Sequence, residues 1–103
     1  MIKVSFSVEE NRVCGFDISG HSGYAEAGSD IVCAAVSSAA YMTANTIIDV
    51  ICSNADVRCE ENELFLLLKD KNEASLKVLE GFRLHIEQLE EQYPRNIRII
   101  TEV

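Results

Sequence analysis

Basic residues are scarce in this chain: 9 lysines and arginines stand against 17 aspartates and glutamates in 103 residues, a formal net charge of −8. Such a surface repels phosphate backbones and anionic headgroups, so direct nucleic-acid binding and membrane docking are not expected. A basic protein partner suits it instead. No apolar run reaches the length of a membrane span. The opening MIKVSFSVEE reads as a strand and lacks the apolar core of a secretory leader, so a cytoplasmic location is the expectation. Proline occurs once, and there is no low-complexity tract or linker, which points to one domain across residues 1–103. None of the four cysteines (Cys14, Cys33, Cys52, Cys59) forms a C-x-x-C pair, and His85 lies far from them in sequence. That pattern argues against a zinc site and a disulfide framework, and no cofactor or metal is expected. Cys14, Cys52 and Cys59 are read as small buried hydrophobes.

Periodicity supplies the architecture. Ile2, Val4, Phe6 and Val8 alternate with polar residues, as do Cys14, Phe16 and Ile18, which makes two strands around a turn at Glu10, Asn11 and Arg12. A glycine-bearing stretch, 20–28, reads as a mobile loop. A helix is expected over 30–53, with Ser29 or Asp30 as its cap, apolar over much of its girth and therefore central. A second hairpin turns at Glu61 and Asn62. Its strand holding Leu64, Phe65, Leu66, Leu67 and Leu68 is continuously apolar, like one covered on both faces. Residues 73–93 carry an apolar stripe of Leu76, Leu79, Phe82, Ile86, Leu89 and Tyr93, interrupted by Gly81, whose cost of about 1 kcal/mol calls for a close packing contact. Pro94 ends this helix, and residues 95–103 form a last strand. The order β-β-α-β-β-α-β implies an α+β fold, one sheet with two helices mainly on one face. The uncovered face then predicts a homodimer.

The chemistry concentrates in GHSGYAEAGSDIVCAAVS, residues 20–37. A helix beginning at Ser29 or Asp30 puts Cys33 in its first turn, where unpaired N–H groups and the helix dipole favour a thiolate. The same N–H groups suit an oxyanion. His21, across the loop, is a fitting base for such a thiol, and thiol, imidazole and donors together match acyl transfer. Asp30, Cys33 and Ser37 share one helix face; Tyr24 and Glu26 lie in the loop, within reach of a substrate. Residue chemistry alone leaves a plainer reading open, in which Cys33 packs in the core, His21 is solvated and Asp30 only caps.

The segment resembles the ribosomal-processing cysteine protease family of Firmicutes and their relatives. The resemblance rests on Gly20-His21, Tyr24-Ala25 and Gly28-Ser29-Asp30-Ile31-Val32-Cys33-Ala34-Ala35-Val36-Ser37, and chain length and element order extend it over the whole sequence. Ser22 and Ala39 depart from the residues usual there. The resemblance implies a bacterial cytosolic endopeptidase that removes an N-terminal extension from protein twenty-seven of the large ribosomal subunit. It places His21 and Cys33 at the catalytic positions and Gly20, Asp30 and Ser37 at supporting ones, in a dimer with a mobile loop over the site. The alternative is a non-catalytic assembly module that binds a basic ribosomal protein. A thiol-transfer role lacks a resolving cysteine, because Cys52 is nineteen residues from Cys33, about 28 Å along one helix.

Overall fold

The computed structural model describes residues 1–20 and 27–102, with 27–30 by their backbone alone. Strands β1 (Ile2–Glu9) and β2 (Arg12–Ser19) form an antiparallel hairpin. Its two turn residues, Glu10 and Asn11, both take positive φ, 53° and 63°, the primed geometry that matches strand twist. Helix α1 (Ala27–Asn45) follows and continues as a π-helical segment, Thr46–Val50. Strands β3 (Ala55–Glu60) and β4 (Glu63–Leu68) make the second hairpin, then come α2 (Glu73–Gln92) and β5 (Ile97–Glu102). The sheet order is β3-β4-β2-β1-β5, antiparallel except for the β1–β5 pair. The element order and one-sided helical cover agree with the sequence pattern.

Register sets the faces. Phe6 pairs with Phe16, Phe16 with Leu66, and Leu66 with Val57; Val4, Ile18 and Leu64 form the next row. These rows meet the helices. Phe82 of α2 lies edge-on to Phe6, with ring centroids 5.8 Å apart, and tilted on Phe16 at 4.7 Å, contacts that add to the burial of three rings. Asn72 caps α2 through its side-chain oxygen, which accepts from the N–H groups of Ala74 (2.9 Å) and Ser75 (3.3 Å). Ion pairs Arg12–Glu73 and Lys71–Glu9 tie the first hairpin to the start of α2.

Three expectations need correction. The first helix begins at Ala27 and changes pitch after Asn45. There the Thr43 and Thr46 hydroxyls donate to the carbonyls of Ala39 (2.8 Å) and Met42 (2.7 Å), and such back-bonding disturbs a helix. Within it, Ile31–Val50 is long and apolar enough to cross a membrane by composition alone, yet its inward side chains Val32, Val36, Ala40 and Ile47 are sealed in the core. The large apolar residues it exposes are Ile31, Tyr41, Met42 and Val50, so α1 is half exposed rather than central. The helices cover one face of β4, as expected: Leu64, Leu66 and Leu68 face them, while Phe65 and Leu67 are half-buried on the far side. Phe65 is shielded there by the Arg58 guanidinium, 4.4 Å from its centroid, and Leu67 lies over Gly15. Gly81 has no close neighbour, since a Cβ there would meet nothing within 4 Å.

The far face of the sheet carries one strained charge. The Asp17 Oδ1 is enclosed without a hydrogen-bond partner among the described residues. Burial first, then the neighbouring Glu63, push its carboxyl above the ordinary carboxylate range, with Arg58 opposing. A carboxyl raised in the folded state favours folding most when protonated, and that contribution is lost as pH rises through its folded value. Asp17→Asn is therefore expected to raise the melting temperature at pH 7. The gain should shrink as pH falls toward about 4, as thermal melts over that range will show.

Candidate active site

The segment that holds His21 leaves the sheet at Gly20. That residue has φ +81°, and a Cβ on it would stand 2.5 Å from the Met1 carbonyl oxygen. Only glycine combines that dihedral with so close a backbone approach. The chain thus turns off β2 beside the start of β1. His21, Tyr24 and Glu26 lie outside the described residues.

On the other side of that segment, α1 takes in Gly28, Ser29 and Asp30. Neither Ser29 nor Asp30 is the cap, and Cys33 is the seventh helical residue, counting from Ala27. Residue types that cap helices are also tolerated in the first turn, where acidic residues are favoured by the dipole, so sequence alone misplaced the start. The correction removes the argument that Cys33 sits among unpaired first-turn N–H groups, and with it the oxyanion donors drawn from that turn.

Helical spacing retains the shared face of Asp30, Cys33 and Ser37. Cys33 is half-buried and packs at the edge of the core; its thiol is free. Ser37, one turn on, lines a cleft of about 40 Å³ with Ile18, Ala40, Tyr41, Glu60, Glu61, Glu63 and Leu64. The cleft separates α1 from the tip of the β3–β4 hairpin. Tyr41 then reaches β3, its Oη 3.6 Å from the Cys59 sulfur. Cys33, Ser37 and Tyr41 therefore form a stripe at intervals of four, about 12 Å long. Tyr41 and the three glutamates were missed in the sequence reading. The i+8 spacing of Tyr41 from Cys33 was the available signal, whereas the glutamates arrive through the hairpin and have no local one.

The remaining thiols divide differently from expectation. Cys14 is buried, and burial pushes its thiol up. Cys52 and Cys59 are exposed. Cys52 sits beyond the helix in the left-handed region, at φ 62°, and Cys59 lies on an edge strand where side chains are open to water. His85 lines a separate apolar groove of about 630 Å³ between α1 and α2. Among the described residues no three histidine, cysteine, aspartate or glutamate side chains are grouped to hold a metal.

Gly20→Ala should lower the unfolding free energy by about 1–3 kcal/mol, because a side chain there is strained in dihedral and in contact. Urea denaturation measures this, and Ser19→Ala serves as a neighbour expected to stay close to wild type.

With this arrangement established, comparison with known proteins gives a consistent result. Residues 1–98 match the family described as Cysteine protease Prp. The Ribosomal processing cysteine protease Prp of Staphylococcus aureus (strain Mu50) is 28% identical over 103 residues, covering 96% of this chain and 97% of that protein. The protein of the same name from Bacillus subtilis (strain 168) is 22% identical, covering 91% and 90%. Two crystal structures of an essential ribosomal processing protease Prp from S. aureus share the fold. One, in complex with a substrate peptide, superposes with a TM-score of 0.91 at 25% identity over 99% of this chain and 100% of that one. The other, with a covalently linked product peptide, gives 0.88 at 26% identity with the same coverage. The chain, an α+β protein with this sheet, two helices and a half-exposed cysteine on α1, belongs to the Prp family of cysteine proteases.

Proposed function

We propose that this chain is a single catalytic domain, residues 1–103, cutting a peptide bond with Cys33 as nucleophile and His21 as general base. The Cys33 proton passes to His21, and the sulfur attacks the scissile carbonyl carbon. The C–N bond then breaks as His21 returns a proton to the leaving amine. Water, deprotonated by His21, cleaves the resulting thioester and frees the thiol. Gly20 directs the chain into the His21 segment, Asp30 and Ser37 share the Cys33 face by helical spacing, and Tyr24 is the residue proposed to contact substrate. The observation that carries this reading is the position of Cys33: accessible, on the α1 stripe that borders the cleft. The covalently linked product peptide on a relative of the same fold supports an acyl-enzyme route.

The substrate proposed is the N-terminal extension of protein twenty-seven of the large ribosomal subunit. The relatives' ribosomal processing role and the charge of −8 both support a basic ribosomal substrate. The setting proposed is the bacterial cytoplasm, with no direct nucleic-acid or membrane contact and no cofactor. The enzyme is proposed to be a homodimer. The apolar surface a second copy would cover lies on the helical layer, where Ile31, Met42 and Val50 are 63%, 73% and 75% exposed, rather than on the far face of the sheet.

Purified protein incubated with a peptide spanning that extension and its junction should give one cut, followed by mass spectrometry. Cys33→Ala should abolish it, and His21→Ala should lower kcat about 10²–10⁴-fold. Cutting that survives in folded Cys33→Ala would overturn the assignment. Stoichiometric binding without product, unchanged in both variants, would favour the assembly module. Sedimentation equilibrium should give twice the 11.4 kDa chain mass, and Met42→Glu should shift it toward monomer.

A further inference from the structure

The sheet ends in two edge strands, and the molecule treats them differently. The outward N–H of Ile97 in β5 donates to the Tyr93 carbonyl (3.3 Å), and that of Ile99 donates to a Glu90 carboxylate oxygen (3.0 Å). The end of α2 and its cap residue Tyr93 thus cover the β5 edge at Ile97 and Ile99. The β3 edge has no such cover. A two-residue turn makes Glu60 and Glu63 a hydrogen-bonded pair, so alternation gives the ladder with β4 to Glu60, Arg58 and Asp56. The Lys69 N–H donates to Asn54 at 2.8 Å and continues the same alternation. Ala55, Val57 and Cys59 therefore point their N–H and C=O groups away from the sheet, and no partner within the described residues meets those N–H groups. The strand keeps an unbroken register with β4, contains no proline, and is exposed from Asp56 to Glu60. It is a bare edge of the kind folds usually blunt.

We propose that the β3 edge receives the substrate as an added strand, resting on the protease reading above, with the backbone of Ala55, Val57 and Cys59 holding the peptide as it runs past the hairpin tip toward Cys33. The occupant follows from continuity and charge. The hairpin tip shares its cleft with Ser37, one helical turn from Cys33, and Tyr41 on the same stripe touches Cys59. Six strand residues span about 20 Å, enough to register several peptide residues by main-chain bonds, while alternate side chains face α1. The hairpin carries Asp56, Glu60, Glu61 and Glu63 against Arg58 and Lys69. A second copy would bring the same excess of carboxylates, whereas a lysine- or arginine-bearing peptide offsets it.

The test uses the full chain and the extension peptide named above. Amide exchange by NMR on Cys33→Ala keeps the peptide intact. Bound peptide should slow exchange at Ala55, Val57 and Cys59 by about tenfold or more, and leave Asp56, Arg58 and Glu60, already in the ladder, unchanged. Methylating peptide nitrogens one at a time should weaken binding about 3- to 10-fold at alternate positions only. In the wild type, Val57→Pro removes an outward donor without breaking the ladder. It should raise KM several-fold at unchanged kcat. Cleavage by wild type without the period-two pattern or β3 protection would overturn this proposal and leave the protease reading standing. Protection in Cys33→Ala without wild-type cleavage would support the edge site and overturn the protease reading. Protection that rises with protein concentration in the absence of peptide would assign the edge to a second copy and overturn the proposal.

Discussion

The inward stripe of α1 is the contact on which the rest depends. Val32, Val36 and Ala40 are fully enclosed against the sheet. They fix the rotation of the helix about its own axis, because small and β-branched side chains leave little room for an alternative seating. Cys33, Ser37 and Tyr41 each follow one of these anchors by one residue, a turn of about 100° around the helix. The stripe that meets the hairpin is thus the core stripe displaced by one position. A core substitution that rotated α1 would therefore move the Cys33 thiol without contacting it directly.

Much of this was written plainly in the sequence. The alternation in β1 and β2 and the heavy stripe of α2 are strong periodic signals, each reinforced by a turn or a cap such as Asn72. The start of α1 was not, since Ser29 and Asp30 suit both a cap and a first turn. Nor was the fate of Phe65 and Leu67, because a continuous apolar run does not say what shields each face. Here an arginine and the surface above a glycine do so within the sheet itself. Cys33 and Ser37 were legible as neighbours on a helix, but the glutamates opposite them come from a hairpin more than twenty residues away, beyond the reach of local patterning.

The two edges show the same limit from another side. Both strands read alike as short β segments. What separates them is where α2 ends, with Tyr93 and Glu90 placed to occupy the outward N–H groups of β5. Asymmetry of that kind belongs to tertiary structure. It leaves the sheet with one partly covered margin and one bare margin, the bare one on the side where the Cys33 stripe lies.

The exposure of Cys52 and Cys59 has a practical consequence for chemical labelling. Alkylating reagents will meet three reachable sulfurs, and the two surface ones carry no proposed catalytic role. The stoichiometry of modification then overstates site occupancy, and partial inactivation by an alkylator says little about which sulfur was hit. A background in which Cys52 and Cys59 are serine turns such a reagent into a direct count of Cys33.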